Sequence, residues 1–194
     1  MFDLIAFDLD GTLIELNIPF EEIRKKLGIR DRFILEAILK MEENKRSKAL
    51  KVLEYYETKC AENAKLIHFA KELIDALNQA GVTKGVITRN CRRSVEVVSK
   101  KFDLKFDFVI TREDAKPKPS PEPVILALKM FNISRDRALI VGDFVFDLIA
   151  GKKAGIKTAL IITDKNREIA ESYLRYADYV FKSLKELAEF LGVI

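Results

Sequence analysis

Leu4-Ile5-Ala6-Phe7-Asp8-Leu9-Asp10-Gly11-Thr12 is the stretch that decides the fold. Four consecutive apolar residues read as a strand buried on both faces, and two carboxylates follow where that strand stops. Side chains at i and i+2 of an extended segment point the same way, so Asp8 and Asp10 face one small space beyond the strand. Carboxylates that close resist joint ionisation; they share a proton or hold a cation. Gly11 permits a turn and a close approach of backbone amides to a ligand, and Thr12 adds a hydroxyl. Asp-Gly alone is a common turn, but a turn does not account for two acids beside a buried strand. The stretch suits phosphoryl transfer.

Working outward, β-like runs at Leu4–Phe7, Lys84–Thr88, Phe106–Ile110, Ala138–Val141, Thr158–Ile162 and Tyr179–Phe181 alternate with helical periodicity at Phe69–Ala80, Ser94–Phe102, Pro121–Phe131, Asp147–Ala154, Asn166–Tyr173 and Leu184–Leu191. Such alternation predicts an α/β fold, a doubly wound parallel sheet with helices on both faces. One region departs from it. From Ile14 to about Ile67 the pattern is helical only: a helix opening at Pro19-Phe20 and closed by Gly28, a second marked by Ile34, Leu35, Ile38, Leu39 and Met41, and a third marked by Leu50, Val52, Leu53 and Tyr56. Residues 15–68 are therefore expected to form a helical cap on a core made of 1–14 and 69–194. The insert leaves from the carboxyl edge of the first strand, where ligands of open α/β sheets bind, and is placed to cover that edge.

The chain has 194 residues and 48% hydrophobic content, enough for a real core, and its 33% charged content suits a soluble surface. No apolar run reaches the ~20 residues of a spanning helix, and Met1-Phe2-Asp3 lacks the basic lead-in of a signal peptide; the expectation is a cytoplasmic protein with no membrane partner. Cys60 and Cys91 have neither metal-ligand nor disulfide-scaffold spacing and read as reduced thiols. The formal charge is +4, and the basic pairs are scattered without interleaved aromatics, which argues against nucleic acid. Gln79 is the only glutamine and Trp is absent, while Lys and Glu abound; this bias resembles that of thermophile proteins. The sole histidine, His68, has no second histidine to join it and reads as structural. Arg24, Asn17 and Arg92 are possible substrate contacts that no spacing singles out. Nothing fixes the oligomer, monomer or homodimer.

Three further constellations lie at predicted strand ends or in the loops between strand and helix. Gly142-Asp143-Phe144-Val145-Phe146-Asp147 follows a buried strand, and its two acids share a face if a helix starts there; with Asp8 they make three hard oxygen ligands, which suits Mg²⁺. Thr88-Arg89-Asn90 offers a hydroxyl and amides for phosphate oxygens. Lys116-Pro117-Lys118-Pro119-Ser120-Pro121-Glu122-Pro123 lies between a strand and a helix, where its prolines stiffen a loop able to hold an ammonium at a phosphate. Hydrolysis of phosphate monoesters is accelerated by enzymes by up to ~10²¹-fold, or nearly 30 kcal/mol at ~1.36 kcal/mol per tenfold. A carboxylate pair cannot supply that alone, so anion, cation and donors must bracket one phosphoryl group.

With all four motifs in this order, the chain resembles the haloacid dehalogenase superfamily of hydrolases, in the phosphoglycolate phosphatase-like branch with a small helical cap. The resemblance implies a Rossmann-like sheet ordered 3-2-1-4-5 with the first motif on the middle strand, and a Mg²⁺-dependent phosphatase for small phosphorylated metabolites, phosphoglycolate among them. It implies Asp8 as nucleophile and Asp10 as general acid/base, with the Asp10 carbonyl also meeting Mg²⁺. Thr88 binds the phosphoryl group with Thr12, Arg89 and Asn90 nearby. Lys118 is the motif lysine rather than Lys116, because Pro119, Pro121 and Glu122 follow it in register. Asp143 is a Mg²⁺ ligand, with Asp147 direct or through water. Departures from the family pattern fall at Arg89 and Asn90, at Phe144 and Phe146, and at Glu15 and Leu16, and none removes a catalytic group. Alternative readings are a sugar phosphomutase with the same motifs, a receiver-like signalling domain phosphorylated on Asp8, a dehalogenase, which has no need of Asp10, and a non-catalytic scaffold.

Overall fold

A computed structural model describes residues 1–194. Six parallel strands form one sheet: β1 (Leu4–Phe7), β4 (Thr83–Ile87), β5 (Phe108–Ile110), β6 (Ala138–Gly142), β7 (Lys157–Ile161) and β8 (Tyr179–Phe181), in the spatial order β5-β4-β1-β6-β7-β8. Counted along the sheet's own strands this is 3-2-1-4-5-6, the expected order extended by one edge strand. The apolar run that opens the chain is buried along its length and pairs with β4 on one side and β6 on the other. Its Phe7 lies level with Val86 and Val141, so Asp8, Thr88 and Asp143 all emerge at the same carboxyl edge.

Helices α4 (Ala70–Gln79), α5 (Arg92–Phe102), α6 (Glu122–Phe131), α7 (Val145–Ala154), α8 (Arg167–Tyr173) and α9 (Leu184–Leu191) connect or follow these strands, with single 3₁₀ turns at Arg135–Arg137 and Leu174–Tyr176. The third sheet strand is shorter than the periodicity predicts. It starts at Phe108 rather than Phe106, just after Asp107, whose carboxylate accepts from both the amide and the ammonium of buried Lys84 on β4.

The segment between β1 and α4 holds α1 (Phe20–Leu27), α2 (Ile34–Leu39) and α3 (Glu43–Glu62). Gly28 closes α1 in the left-handed conformation, φ 65°. The segment is not helical throughout, as the pattern suggests. Ile14–Glu15 (β2) and Lys65–Leu66 (β3) pair antiparallel, tying its entry to its exit. Two residues are too few to show a strand period, which is why the ribbon leaves no trace in the sequence. The insert also shares its apolar interior with one face of the sheet: Ile23, Ile38 and Leu53 belong to the same buried cluster as Phe7, Leu73 and Val95. A second, smaller cluster around Leu4, Ile140, Val124 and Ala150 covers the other face. No helix is long and apolar enough to cross a membrane.

The β7–β8 edge is secured by one carboxylate. Asp178 accepts from the Thr158 amide at 2.9 Å, the Thr158 hydroxyl at 3.0 Å and the Lys152 ammonium at 2.7 Å. Partial burial alone would raise its pKa; the bonds from Lys152 and Thr158 override this and hold it at about 2, below the ordinary 3.8. A depressed carboxylate pKa stabilises the fold above the unfolded value and loses that contribution as pH falls through the folded one. Asp178→Asn is expected to lower stability at pH 7 by about 1 kcal/mol. In urea titrations the gap from the parent should close as pH drops from about 4 to about 2. A gap independent of pH would contradict this role.

Candidate active site

At the carboxyl edge of the sheet, one ligand oxygen from each of Asp8, Asp143 and Asp147 lies within 4.8 Å of the others. Asp8 directly follows β1. Asp143 directly follows β6. Asp147 stands in the first turn of α7, where its Oδ2 accepts from the Phe144 amide at 3.2 Å. Two glycines make room for these acids. A Cβ on Gly11, whose φ is 91°, would fall 2.3 Å from an Asp143 oxygen, and one on Gly142 would fall 2.3 Å from the Asp147 carboxyl carbon.

One cation enters the cluster. Lys118 is 1% exposed, and its ammonium lies 2.6 Å from Asp8 Oδ1 and 2.5 Å from Asp147 Oδ1 while donating to the Ile87 carbonyl. Lys116 is exposed. Burial would lower the pKa of Lys118, but Asp147 and Asp8 outweigh it and raise it. Three carboxylates against one ammonium leave an excess of buried negative charge. The pKa values record it: burial, then the charge of Asp8, pushes Asp143 well above the ordinary range, and burial pushes Asp147 to about 6 against the pull of Lys118. Removing such an excess takes protons or a cation. All-carboxylate oxygen donors, fixed by glycine-cleared approaches, suit a hard divalent ion.

Asp10 stands apart from the trio. Its Oδ1 accepts from the Leu16 amide at 2.9 Å, and burial raises its pKa to about 6, with that amide opposing and the charge of Asp8 adding. The carboxyl is thus positioned beside the site and keeps its proton to a higher pH than an ordinary carboxyl does.

The other predicted residues divide. Thr88 and Asn90 are buried and line a cavity of about 480 Å³ above the acids. Thr88 Oγ1 accepts from the Asn90 amide at 3.1 Å, which leaves its hydroxyl proton free to donate. Thr12 is fully buried and faces Asp143 Oδ1 at 3.4 Å, a weak contact. Arg89 lines the cavity, but its guanidinium is taken up by a two-pronged pair with Glu36 of α2, at 2.7 and 2.8 Å, and by the Lys118 carbonyl at 2.5 Å. Arg24 also lines the cavity. Arg92 pairs with Asp114, Asn17 accepts from Lys165, and His68 is exposed. The Cys91 thiol is buried and its pKa is pushed up to about 12, first by burial and then by Glu57.

Several neighbours carry no signal in the sequence. Asn166 donates from Nδ2 to the Asp143 carbonyl at 2.7 Å and to the Ile161 carbonyl at 2.9 Å, fixing the loop that presents Asp143. Phe33, from the loop before α2, meets Phe146 and Phe144 with ring centroids 5.0 and 6.3 Å apart, closing one wall of the cavity. Glu57 of α3 and Arg112 form a buried ion pair beside Thr88-Arg89-Asn90.

Comparison with known proteins adds to this geometry. The family profile described as haloacid dehalogenase-like hydrolase matches residues 14–161. An uncharacterized hydrolase of Saccharomyces cerevisiae is 30% identical over 199 residues, covering 98% of this chain and 89% of that protein. Pyrophosphatase PpaX of Bacillus cereus is 29% identical over 219 residues, covering 97% and 95%. Among solved structures, a hydrolase from Pseudomonas syringae superposes with a TM-score of 0.83 at 19% identity over 100% of this chain and 99% of that one. That likeness carries the fold, and the profile and the yeast relative carry the kinship. The chain belongs to the haloacid dehalogenase-like hydrolases.

Proposed function

We propose that this hydrolase is a phosphatase for small phosphorylated metabolites, working through an aspartyl-phosphate on Asp8 with Mg²⁺ as cofactor and with residues 15–68 as a cap over the site. The observation that carries this reading is the cluster of three carboxylates at the carboxyl edge of the sheet, two of them paired with one buried ammonium. Lys118 holds Asp8 Oδ1, which leaves Oδ2 to attack phosphorus. The P–O bond to the leaving group breaks as Asp10 delivers its proton to the departing oxygen. Asp10, now ionised, takes a proton from water, which attacks the acyl phosphate and returns Asp8 and orthophosphate. Thr88 and Asn90 are placed to donate to phosphoryl oxygens. Mg²⁺, held by Asp8, Asp143, Asp147 and the Asp10 carbonyl, would supply the remaining charge neutralisation. The pyrophosphatase name of the Bacillus cereus relative supports adding inorganic pyrophosphate to phosphoglycolate and sugar phosphates among the substrates tested.

Purified protein is expected to release phosphate from p-nitrophenyl phosphate, to lose that activity on dialysis against EDTA and to regain it with Mg²⁺. Asp8→Asn should abolish turnover while leaving the fold intact. Full turnover by Asp8→Asn, or no turnover of any phosphate ester by the unsubstituted protein, would refute the assignment.

The leaving group isolates the part played by Asp10. Its proton matters most when a poor leaving group departs, so kcat/KM for an alkyl phosphate should fall as pH rises above about 6, the Asp10 pKa. The fall should be shallow for p-nitrophenyl phosphate. Asp10→Asn is expected to cost about 10²–10⁴-fold with the alkyl ester and clearly less with the nitrophenyl ester. Equal losses on both would remove Asp10 from the acid role.

A further inference from the structure

Glu57 is a charge on an apolar stripe. Ala49, Leu53, Glu57 and Ala61 recur every four residues along α3, and all four are buried. A carboxylate there carries a desolvation cost that a leucine would not. Arg112, two residues beyond β5, compensates it: Nη1 lies 2.6 Å from Glu57 Oε1 and 2.7 Å from Oε2, and the two side chains are 6% and 3% exposed. An apolar pair of similar volume commonly holds a fold as well as a buried ion pair does, so stability alone does not explain these residues.

The further bonds they make are more specific. Arg112 Nη1 also donates to the Arg89 carbonyl at 3.1 Å, and the Cys91 amide donates to Glu57 Oε2 at 2.9 Å. The pair therefore grips the backbone on both sides of Asn90. Asn90 is 8% exposed and lines the cavity above the acid cluster, and its Nδ2 has no hydrogen-bond partner. An unmet buried donor costs free energy until an acceptor arrives, and a phosphoryl group is rich in acceptors. Glu57 itself also lines the cavity, so without Arg112 its charge would repel an incoming phosphate.

Building on the phosphatase reading, we propose that Glu57 and Arg112 are positioning residues that couple the docking of the helical insert to the presentation of Asn90 Nδ2 to a substrate oxygen. Glu57 belongs to the insert and Arg112 to the sheet's own loops. The turn is gripped from both sides only while α3 rests against the core.

A double-mutant cycle with p-nitrophenyl phosphate tests this, with unfolding temperature and circular dichroism checking the fold of every variant. Asn90→Ala alone is expected to lower kcat/KM about tenfold, and Glu57→Leu with Arg112→Met to lower it at least as much. Asn90→Ala added to that apolar pair should cost under about twofold more, because coupled residues are non-additive. If the apolar pair does not fold, Arg112→Lys replaces it: the ammonium keeps the charge but loses part of the grip, and the Asn90→Ala loss should shrink on that background too. Full multiplication of the losses in folded variants would overturn the proposal while leaving the phosphatase reading intact. Absence of any phosphate release by the unsubstituted protein would instead overturn both.

Discussion

The Lys118 ammonium, lodged between Asp8 and Asp147, is the contact on which the rest of this site depends. It lies 1% exposed beneath the carboxyl edge of the sheet and gives the acids their only buried counter-charge. One cation among three carboxylates does not balance them, and the imbalance is useful. The ammonium holds Asp8 and Asp147 in place, and the charge it leaves uncompensated is what the proposed divalent ion would offset. A fully neutralised cluster would have nothing left to attract the ion.

The sheet makes that cluster possible at small conformational cost. β1 and β6 run side by side in parallel with Phe7 level with Val141, so Asp8 and Asp143 leave their strands at the same height without any long loop. Gly11 and Gly142 remove the two Cβ atoms that would otherwise occupy the space of the acids. Asn166 then ties the Asp143 backbone to the end of β7. The insert is bound into the same structure through a shared apolar interior, the Glu36–Arg89 pair and the Glu57–Arg112 pair. Its position and the shape of the Thr88–Cys91 turn are therefore linked.

Most of this architecture is legible in the sequence because its signals are local. A buried strand announces itself as an apolar run, and a residue that follows one at once must lie at the sheet edge. That places Asp8, Thr88 and Asp143 without further information, and the proline-ringed loop narrows the lysine to two candidates. What is not legible is what depends on partners distant in the chain. The pattern puts Arg89 among phosphate donors, but Glu36, 53 residues away, occupies it. The third helix of the insert reads from Leu50, Val52, Leu53 and Tyr56, whereas the face it buries is Ala49, Leu53, Glu57 and Ala61. A glutamate on a helix looks solvated until Arg112 is seen beside it. The two-residue strands β2 and β3 are likewise too short to carry a period of their own.

The central claim is that this crowd of charge exists to make Asp8 a phosphoryl acceptor. Borohydride reduction of the protein, acid-quenched during turnover of p-nitrophenyl phosphate, converts an aspartyl phosphate to homoserine that peptide mass spectrometry locates. The account predicts homoserine at position 8, formed only with a divalent cation present. Phosphate release without homoserine at that position, or with homoserine at another aspartate, would contradict it.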